Sequence, residues 1–338
     1  MSHGMEIIDC TLLGFLVFIA VAVAFSKDIL VNTLLMSAFS LTNATLYLVM
    51  NAPDVAMTEA AVGAGFTTVL LLIVISYLKR SNTAVRAKFS KVIMTGLTAT
   101  AVFLLLLYVV MDLPEYGYAG SPANVGDAAH YVRDAYKYTG IPNLVTSILA
   151  SFRGYDTLCE TIVILSASMS IFLLLGRNGE FTEKEGNLLR DNYALRCISS
   201  FMFAVILVYG FYVQTHGDYG PGGGFQSGVI FASAVVLYAL MYGNRTVAKV
   251  LPESLVRIGS STGVLVYIVV GMVSLILGEK FLSYIFPVLD PVHGQEQGVF
   301  IVESGVGLAV FGSFVSIYFD FSSWKNRYTL AERESFHS

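Results

Sequence analysis

The stretch NAPDVAMTEAAVGAGFTT, residues 51–68, joins two hydrophobic runs and carries two carboxylates, Asp54 and Glu59. Small residues follow Glu59, and the chain then continues as VLLLIVISYL without any charge. An acid at the start of a helix that is otherwise suited to lipid is energetically unfavourable, so it indicates a functional site. The stretch therefore predicts membrane-spanning helices on both sides, and it raises the question of whether Glu59 belongs to a larger set of acids.

The composition of the whole chain supports a membrane protein. Of its 338 residues, 55% are hydrophobic and 13% are charged, whereas soluble domains carry roughly 25% charged residues. The mean hydropathy is +0.69. The net charge of −4 gives no indication of nucleic-acid binding. The three cysteines are scattered and fit neither a disulfide framework nor a metal site.

Nine hydrophobic segments are long enough to cross a bilayer, for which a helix needs about 20 mostly apolar residues. They lie at approximately 7–25, 30–50, 55–78, 90–111, 157–176, 194–213, 225–242, 258–278 and 300–320. Lipid offers the backbone no hydrogen-bond partners, whereas a helix satisfies its backbone hydrogen bonds internally. We therefore predict an all-α, polytopic integral membrane protein with about nine transmembrane helices.

The basic residues predict the orientation of these helices. If the third helix ends inside the cell, all but four of the 20 lysines and arginines lie in inner connections. The four on the outer side are Arg133, Lys137, Arg153 and Lys280. Because inner connections are enriched in basic residues, this bias predicts an outer N-terminus and an inner C-terminus.

Two long connections organise the chain. Residues 112–156 form an outer segment, in which DAAHYVRDAYKY (127–138) mixes charges with tyrosines and predicts a short helix at the membrane surface. The polar stretch RNGEFTEKEGNLLRDN predicts an inner linker. The chain then divides into a five-helix unit, a linker, a four-helix unit and a polar cytoplasmic tail, at residues 1–176, 177–192, 193–325 and 326–338.

Glu59, Glu160 and Glu303 are the acids that lie clearly within hydrophobic runs. Each would lie on the order of 6 Å below the outer start of its helix. A single carboxylate there could simply interact favourably with the helix dipole, which stabilises the helix by ~0.3–1 kcal/mol. An acid at the centre of a membrane helix costs about 2.5–3.5 kcal/mol. Three acids at similar depth therefore favour a path for protons or cations over three unrelated helix-start acids.

Further polar side chains could complete such a path. Asp54 and Asp156 precede Glu59 and Glu160 and could feed them from the outer surface. Oxygen ligands suit hard cations such as Na+. The supporting candidates are Thr58, Thr161, Arg153, which could pair with Asp156, and His216. Apart from Lys91 at the edge of one span, the spans hold no lysine or histidine, and their inner halves should lack charge, so the chain could supply only part of an ion path.

The glycine-rich segment HGDYGPGGGFQSG (216–228) lacks the Gly-Lys-Ser/Thr of a phosphate loop. We interpret it mainly as a tight turn between two membrane helices. The alternative is an outer vestibule with His216 and Asp218 at its mouth. Small residues along several helices, such as Gly228, Gly305 and Gly307, predict close packing against neighbouring helices, some of them in other chains.

Three motifs together resemble one family. NAPDVAMTEAAVGAGF (51–66) and NLVTSILASFRGYDTLCETIVIL (143–165) resemble the C-terminal region of the large A-type polypeptide of Mrp/Mnh-type multisubunit Na+/H+ antiporters. The same pieces are similar to small membrane subunits of archaeal membrane-bound hydrogenases. HGDYGPGGGFQSG with ESGVGLAVFGS (303–313) resembles the B-type polypeptide of these antiporters.

This resemblance implies a non-enzymatic subunit without a cofactor in a prokaryotic cytoplasmic membrane. Its partners would be large antiporter-like and small membrane subunits, in a complex that exchanges inner Na+ for outer H+. The implied relay carboxylates are Glu59, Glu160, Asp54, Asp156 and Glu303, with transient Na+ binding near Glu59 and Glu160. Two alternatives stay open, which are a component of a redox-driven complex I-like pump and a structural adaptor without an ion role.

Overall fold

The computed structural model describes residues 3–77, 89–115, 117–175, 192–284 and 290–337. Every regular element in these ranges is helical. In chain order they are α1 (His3–Phe25), α2 (Ile29–Val49), α3 (Pro53–Glu59), a first π turn (Ala60–Thr67), α4 (Thr68–Tyr77), α5 (Phe89–Val110), α6 (Pro122–Val125), α7 (Asp127–Thr139), α8 (Leu144–Ser147), a second π turn (Ile148–Phe152), α9 (Gly154–Leu175), α10 (Tyr193–His216), α11 (Gly224–Tyr242), α12 (Asn244–Val250), α13 (Glu253–Ile276) and α14 (Pro291–His337).

The prediction of nine membrane-spanning helices is confirmed within the described ranges. The spans are Glu6–Phe25, Ile29–Val49, Pro53–Ser76, Phe89–Val110, Gly154–Leu175, Tyr193–His216, Gly224–Tyr242, Glu253–Ile276 and Pro291–Ser323. The last helix is longer than predicted, because it begins at Pro291 and continues to His337 through the expected tail. Most of the predicted linker, residues 177–191, lies outside the described residues. The orientation and the division into units stay predictions.

The longest helix, α14, is the centre of the packed core. It contacts α9, α11 and α13 and buries a row of valines that includes Val299, Val302, Val306 and Val310. The row recurs at three- and four-residue spacing, so it lies on one side of the helix. The core is therefore concentrated around α14.

Glycines allow the backbones of α11, α13 and α14 to approach closely. A Cβ atom on Gly228 would lie 2.6 Å from the carbonyl oxygen of Gly307. A Cβ atom on Gly305 would lie 2.8 Å from the carbonyl oxygen of Gly263. These predicted small-residue faces do pack against helices of this chain, and the expected contacts of some of them with other chains stay a prediction.

The N-terminal helices have far more exposed surface. α1 packs on α2, and α2 packs on α3, the first π turn and α4. None of the residues of α5, all of which the structure describes, is buried. Helices with apolar surface on this scale need lipid or other protein around them.

The predicted surface helix at residues 127–138 is present as α7, which packs against α14 and the second π turn. Two tyrosines attach the second π turn and the start of α9 to the core. Tyr284 donates a hydrogen bond to the Ala150 carbonyl (2.6 Å), and Tyr267 donates to the Gly154 carbonyl (2.7 Å). The start of α9 is therefore held in place by the C-terminal half of the chain.

The contact of α13 with α14 can be tested at two glycines on α13. Gly263→Ala should destabilise the protein by about 1–3 kcal/mol, because the added methyl overlaps the backbone of Ala309. Gly259→Ala is the matched control, since its methyl would meet Leu308 Cδ1 at an ordinary 3.5 Å. Thermal unfolding in detergent measures both, and equal midpoints for the two variants would contradict the close contact.

Candidate functional site

A cavity of about 750 Å³ lies between α3, α9, α11 and α14. Four of the five predicted carboxylates line it, namely Asp54, Asp156, Glu160 and Glu303. Most of the remaining lining is apolar, with Val145, Leu149, Val163, Ile164, Val302 and Val306 among it. The arrangement concentrates acidic groups in an apolar space within the membrane-spanning part of the molecule.

Asp54 is held at the start of α3 and is only 7% exposed. Pro53 occupies the first turn, where its missing N–H leaves no helical hydrogen bond unmade. The Asp54 carboxylate accepts hydrogen bonds from Asn143 Nδ2 (3.2 Å) and the Gly222 N–H (3.4 Å). One turn further, Thr58 Oγ1 accepts from Gln226 Nε2 (3.0 Å). Asp54 and Thr58 thus share a face directed towards the glycine-rich loop and α11.

Asn143 connects three parts of this site. Its Nδ2 donates to the carbonyls of Gly217 (3.0 Å) and Gly220 (2.8 Å) as well as to Asp54. Its Oδ1 accepts from the Val145 N–H and caps α8. Sequence reasoning missed this residue, although an asparagine directly before a short helical segment is a recognisable capping signal.

Glu303 lies against the glycine-rich loop from the side of α14. A Cβ atom on Gly223 would lie 3.1 Å from Glu303 Oε1, and one on Gly217 would lie 3.2 Å from Oε2. Gly223 also has φ +123°, which side chains with a Cβ rarely adopt. The loop is therefore the predicted tight turn, and it also forms a wall of the cavity.

The predicted vestibule around this loop is only partly supported. His216 stacks on Tyr212, with 4.9 Å between ring centroids, and does not line the cavity. Asp218 also lies outside the cavity lining, and its carbonyl accepts from the Asn143 N–H (2.9 Å). Burial and, second, the negative charge of Glu296 raise the pKa of Asp218 above its usual value of 3.8.

Asp156 and Glu160 lie one turn apart on α9, and both are exposed. The expected pairing of Arg153 with Asp156 is present, with Arg153 Nε 2.6 Å from Asp156 Oδ2. Glu160 has no hydrogen bond or ion pair with any described residue. The neighbouring Thr161 hydroxyl donates to the Leu158 carbonyl (2.8 Å), so it is engaged within its own helix.

Glu59 is separate from the other acids. A Cβ atom on Gly63 would lie 2.7 Å from Glu59 Oε1 and 2.6 Å from Ser40 Oγ, so Glu59 is directed towards α2. It does not line the cavity. Consecutive helical residues point about 100° apart, so Glu59 leaves the face that Asp54 and Thr58 share. Glu59 and Glu160, which we predicted at similar depth, therefore do not share one cavity.

Each of the two π turns adjoins acidic residues. The first begins directly after Glu59, and Thr68 Oγ1 donates to the Gly63 carbonyl five residues earlier (3.2 Å). The second ends two residues before α9, which carries Asp156 and Glu160. Such turns are frequent at functional sites because they shift the register of the side chains that follow.

The opposite end of the helices contains buried charges, so our expectation of uncharged inner halves is wrong. Arg257 Nη2 lies 2.8 Å from Asp320 Oδ1 and 3.4 Å from Glu253 Oε2, and its guanidinium lies 3.7 Å above the ring of Phe172. Asp320 is 3% exposed. These residues were missed because α13 begins earlier in the chain, at Glu253, and α14 continues further, to His337, than the hydrophobic pattern indicates.

The arrangement suits single ions better than a fixed metal centre. In the ranges that the structure describes, no three histidine, cysteine, aspartate or glutamate side chains are grouped so that they could hold a metal ion. Carboxylates in an apolar cavity can instead take up and release protons or bind a partly hydrated cation. Transient Na+ binding near Glu59 and Glu160 stays a prediction.

Comparison with known proteins identifies three matching family models. The model described as a domain related to the MnhB subunit of the Na+/H+ antiporter matches residues 194–316. The MbhD and MbhE models, which describe two different MBH subunits, match residues 14–80 and 90–184. The three matches follow one another along the chain without overlap.

Individual relatives show the same pattern. A probable K(+)/H(+) antiporter A/B polypeptide of Rhizobium meliloti (strain 1021) is 26% identical over 286 residues, which are 75% of this chain and 28% of that protein. The putative antiporter protein mnhB2 of Staphylococcus aureus (strain Newman) is 30% identical over 141 residues, 40% of this chain and 98% of that protein. In fold, the chain is similar to the Mrp complex from Dietzia sp. DQ12-45-1b, with a TM-score of 0.74, 22% identity, and coverage of 93% of this chain and 34% of that one.

The role of Asn143 can be tested with Asn143→Asp. Aspartate keeps the cap on Val145 but places an oxygen against the acceptors Asp54, Gly217 and Gly220. We expect a loss of about 1–3 kcal/mol from unpaired buried acceptors, and faster amide hydrogen exchange in the glycine-rich loop. Asn124→Asp is the control, because that exposed side chain donates only to the Tyr118 carbonyl in the described structure. Unchanged exchange in Asn143→Asp would show that this hydrogen-bonded junction is not needed.

The environment of Asp218 predicts a pH-dependent stability. Its charged form is disfavoured in the folded protein, so ionisation begins near pH 3.8 in the unfolded chain and at higher pH in the folded one. Wild type therefore loses stability as pH rises through this window, while Asp218→Asn does not. The unfolding midpoints of Asp218→Asn and wild type are measured at each pH, and the difference in favour of the variant should increase from pH 4 upwards. Asp112→Asn, at an exposed position in the connection after α5, serves as the matched control.

Proposed function

Since this chain belongs to the MnhB family of Na+/H+ antiporter subunits, we propose that it is a membrane subunit of a multisubunit cation/proton antiporter. The complex would move Na+ out of the cell in exchange for H+. The chain covers 28% of the Rhizobium A/B relative, so it would provide only part of such a machine. It would act as a transporter subunit, without enzymatic activity or a cofactor.

The observation that carries this proposal is the convergence of four carboxylates on one cavity. Asp54, Asp156, Glu160 and Glu303 come from three different helices. Acids inside the membrane are unfavourable unless they pair or serve a pathway. Their convergence in a space of about 750 Å³ therefore favours a pathway for small cations.

The geometry suggests a role for each group. Asp156, paired with Arg153 at the first turn of α9, would mark the mouth of the path. Glu160 would take the ion next, since it is exposed and has no partner among the described residues. Asp54 and Glu303, both next to the glycine-rich loop, would form the inner part of the cavity. Glu59 would act on a separate branch beside α2, with Thr58 and Thr161 as supporting oxygen donors.

The remaining parts of the pathway would come from other subunits. Large antiporter-like and small membrane subunits are the proposed partners, and the bilayer would be the cytoplasmic membrane of a prokaryote. The buried Arg257–Asp320 pair would stabilise the other end of the helices. Removing one member of this pair would leave an uncompensated charge beside α13 or α14, so both residues should be needed at this end of the helices.

A second candidate is a membrane component of a redox-driven ion pump. The matches to the MbhD and MbhE models favour it, because they cover residues 14–80 and 90–184. The carboxylates would then conduct ions in response to electron transfer in other subunits. Identification of the proteins that co-purify with this chain separates the two candidates.

Antiport in everted membrane vesicles tests the proposed pathway. In the complete complex, Glu160→Gln and Glu303→Gln should lower dye-monitored Na+-dependent proton exchange by about tenfold or more, because each removes an ionisable group from the path. Glu279→Gln is the matched control, as this exposed acid lies in the connection between α13 and α14. Exchange should be measured with Na+ and K+ separately, and complex levels should be quantified in each preparation.

The outcomes of this test distinguish the remaining hypotheses. Normal exchange by both variants at normal complex levels would favour the structural adaptor and overturn the pathway. Loss of exchange in Glu59→Gln alone would move the path to the α2 side of α3. Exchange that requires a respiratory substrate would favour the redox-driven pump.

A further inference from the structure

The cavity has an unusual outer margin on the surface between α3 and α9. The exposed apolar side chains Val55, Leu149 and Val163 form it. We call the surface bounded by these three residues and Glu160 the α3/α9 groove. Among the described residues that line the cavity, the deeper part belongs to α11 and α14. The groove therefore lies on the side where the chain does not cover its own cavity.

Glu160 makes this groove different from an ordinary lipid-facing surface. It is exposed and lies six residues into α9, roughly 9 Å from the helix start. No described residue forms a hydrogen bond or an ion pair with it. A carboxylate directed at lipid from within a membrane span is energetically unfavourable, so something polar or cationic is expected to face it.

The cavity itself does not provide the missing cation. None of the described side chains that line it is basic. Arg153 is engaged by Asp156, with its guanidinium 2.5 Å from Asp156 Oδ2. The groove thus combines an apolar margin with a carboxylate that forms no ion pair with any described residue, which is complementary to an apolar helix that carries a positive charge.

We propose that the α3/α9 groove seats a transmembrane helix of a second subunit, and that a lysine or arginine of that helix faces Glu160. The apolar margin would pack against the body of the helix, and the positive charge would pair with the carboxylate. The inference rests on the proposed function, because it requires the chain to work within a multisubunit membrane complex. It adds the location and the chemistry of one of the partners.

Two other occupants fit the groove less well. Lipid acyl chains would cover Val55, Leu149 and Val163 but would leave Glu160 without a partner. A second copy of this chain that docked through the same surface would bring two identical acidic grooves together, and like charges at an interface oppose association. A cation-bearing helix satisfies both the apolar and the charged part of the surface.

Cys159 provides a native reporter at this position. It is free and exposed, it lines the cavity, and it directly precedes Glu160. The chain also contains exposed Cys10 and Cys197, which can be replaced by serine so that Cys159 alone reacts. Because the reaction of a thiol depends on its accessibility, the rate of labelling by a small maleimide reports whether the groove is covered.

The experiment compares maleimide labelling of Cys159 in the chain purified alone and in the complete complex. We expect labelling in the complex to be slower by about tenfold or more. Glu160→Lys should restore fast labelling in the complex and reduce the yield of the partner subunit, because two positive charges would then meet. Glu160→Gln, which keeps size and polarity, should have a smaller effect. Because the charge at residue 160 also changes the reactivity of the neighbouring thiol, the rate of each variant in the complex is compared with the rate of the same variant in isolation. An unchanged thermal unfolding midpoint of the isolated Glu160→Lys chain would show that the variant keeps its fold.

Two results would overturn the proposal. The first is equal labelling of Cys159 in the isolated chain and in the complex, which would leave the groove uncovered. The second is full protection in Glu160→Lys, which would mean an occupant without the positive charge, such as lipid. Neither readout measures transport, so protected Cys159 with normal antiport in Glu160→Gln would support the docking helix while removing the ion role of Glu160.

Discussion

The close contact of α14 with α11 and α13 is the constraint on which the rest of the structure depends. Glycines at the crossing points let backbone meet backbone, so side chains of ordinary size would push the helices apart. This contact brings Glu303 against the glycine-rich loop, and the loop in turn contacts Asn143 and Asp54. The position of two of the cavity acids is thus a consequence of how these helices pack.

The cavity and its charge follow from how unevenly the chain covers itself. The C-terminal helices are packed on several sides, whereas the N-terminal helices and α9 keep broad exposed surfaces. Asp54 and Glu303 are enclosed by the glycine-rich loop, but Glu160 lies where the chain provides no partner among its described residues. A protein that places an acid at such a position depends on its neighbours in the membrane, which agrees with a role within a larger complex.

Sequence reasoning recovered the helices and most of the acids, but not how the acids group. The spacing of hydrophobic residues predicted nine spans, and the rarity of acids within them pointed to Glu59, Glu160 and Glu303. It could not predict that Glu59 turns towards α2, because that depends on the rotation of α3 against its neighbours. Asn143 was missed because its importance lies in contacts with residues more than 70 positions away in the chain. Arg257 and Asp320 were missed because the buried ends of α13 and α14 carry charges that hydropathy assigns to solvent.

The sequence by itself determined the class of protein, since this composition and these apolar segments are stable only as helices within a bilayer. It also identified the apolar segments that carry acids, because acidic residues are rare within membrane spans. Only the tertiary structure decided which acids share a cavity and which side of the chain stays open. The reason is that the direction of a side chain around its helix, and the glycine contacts that orient each helix, depend on neighbours distant in sequence.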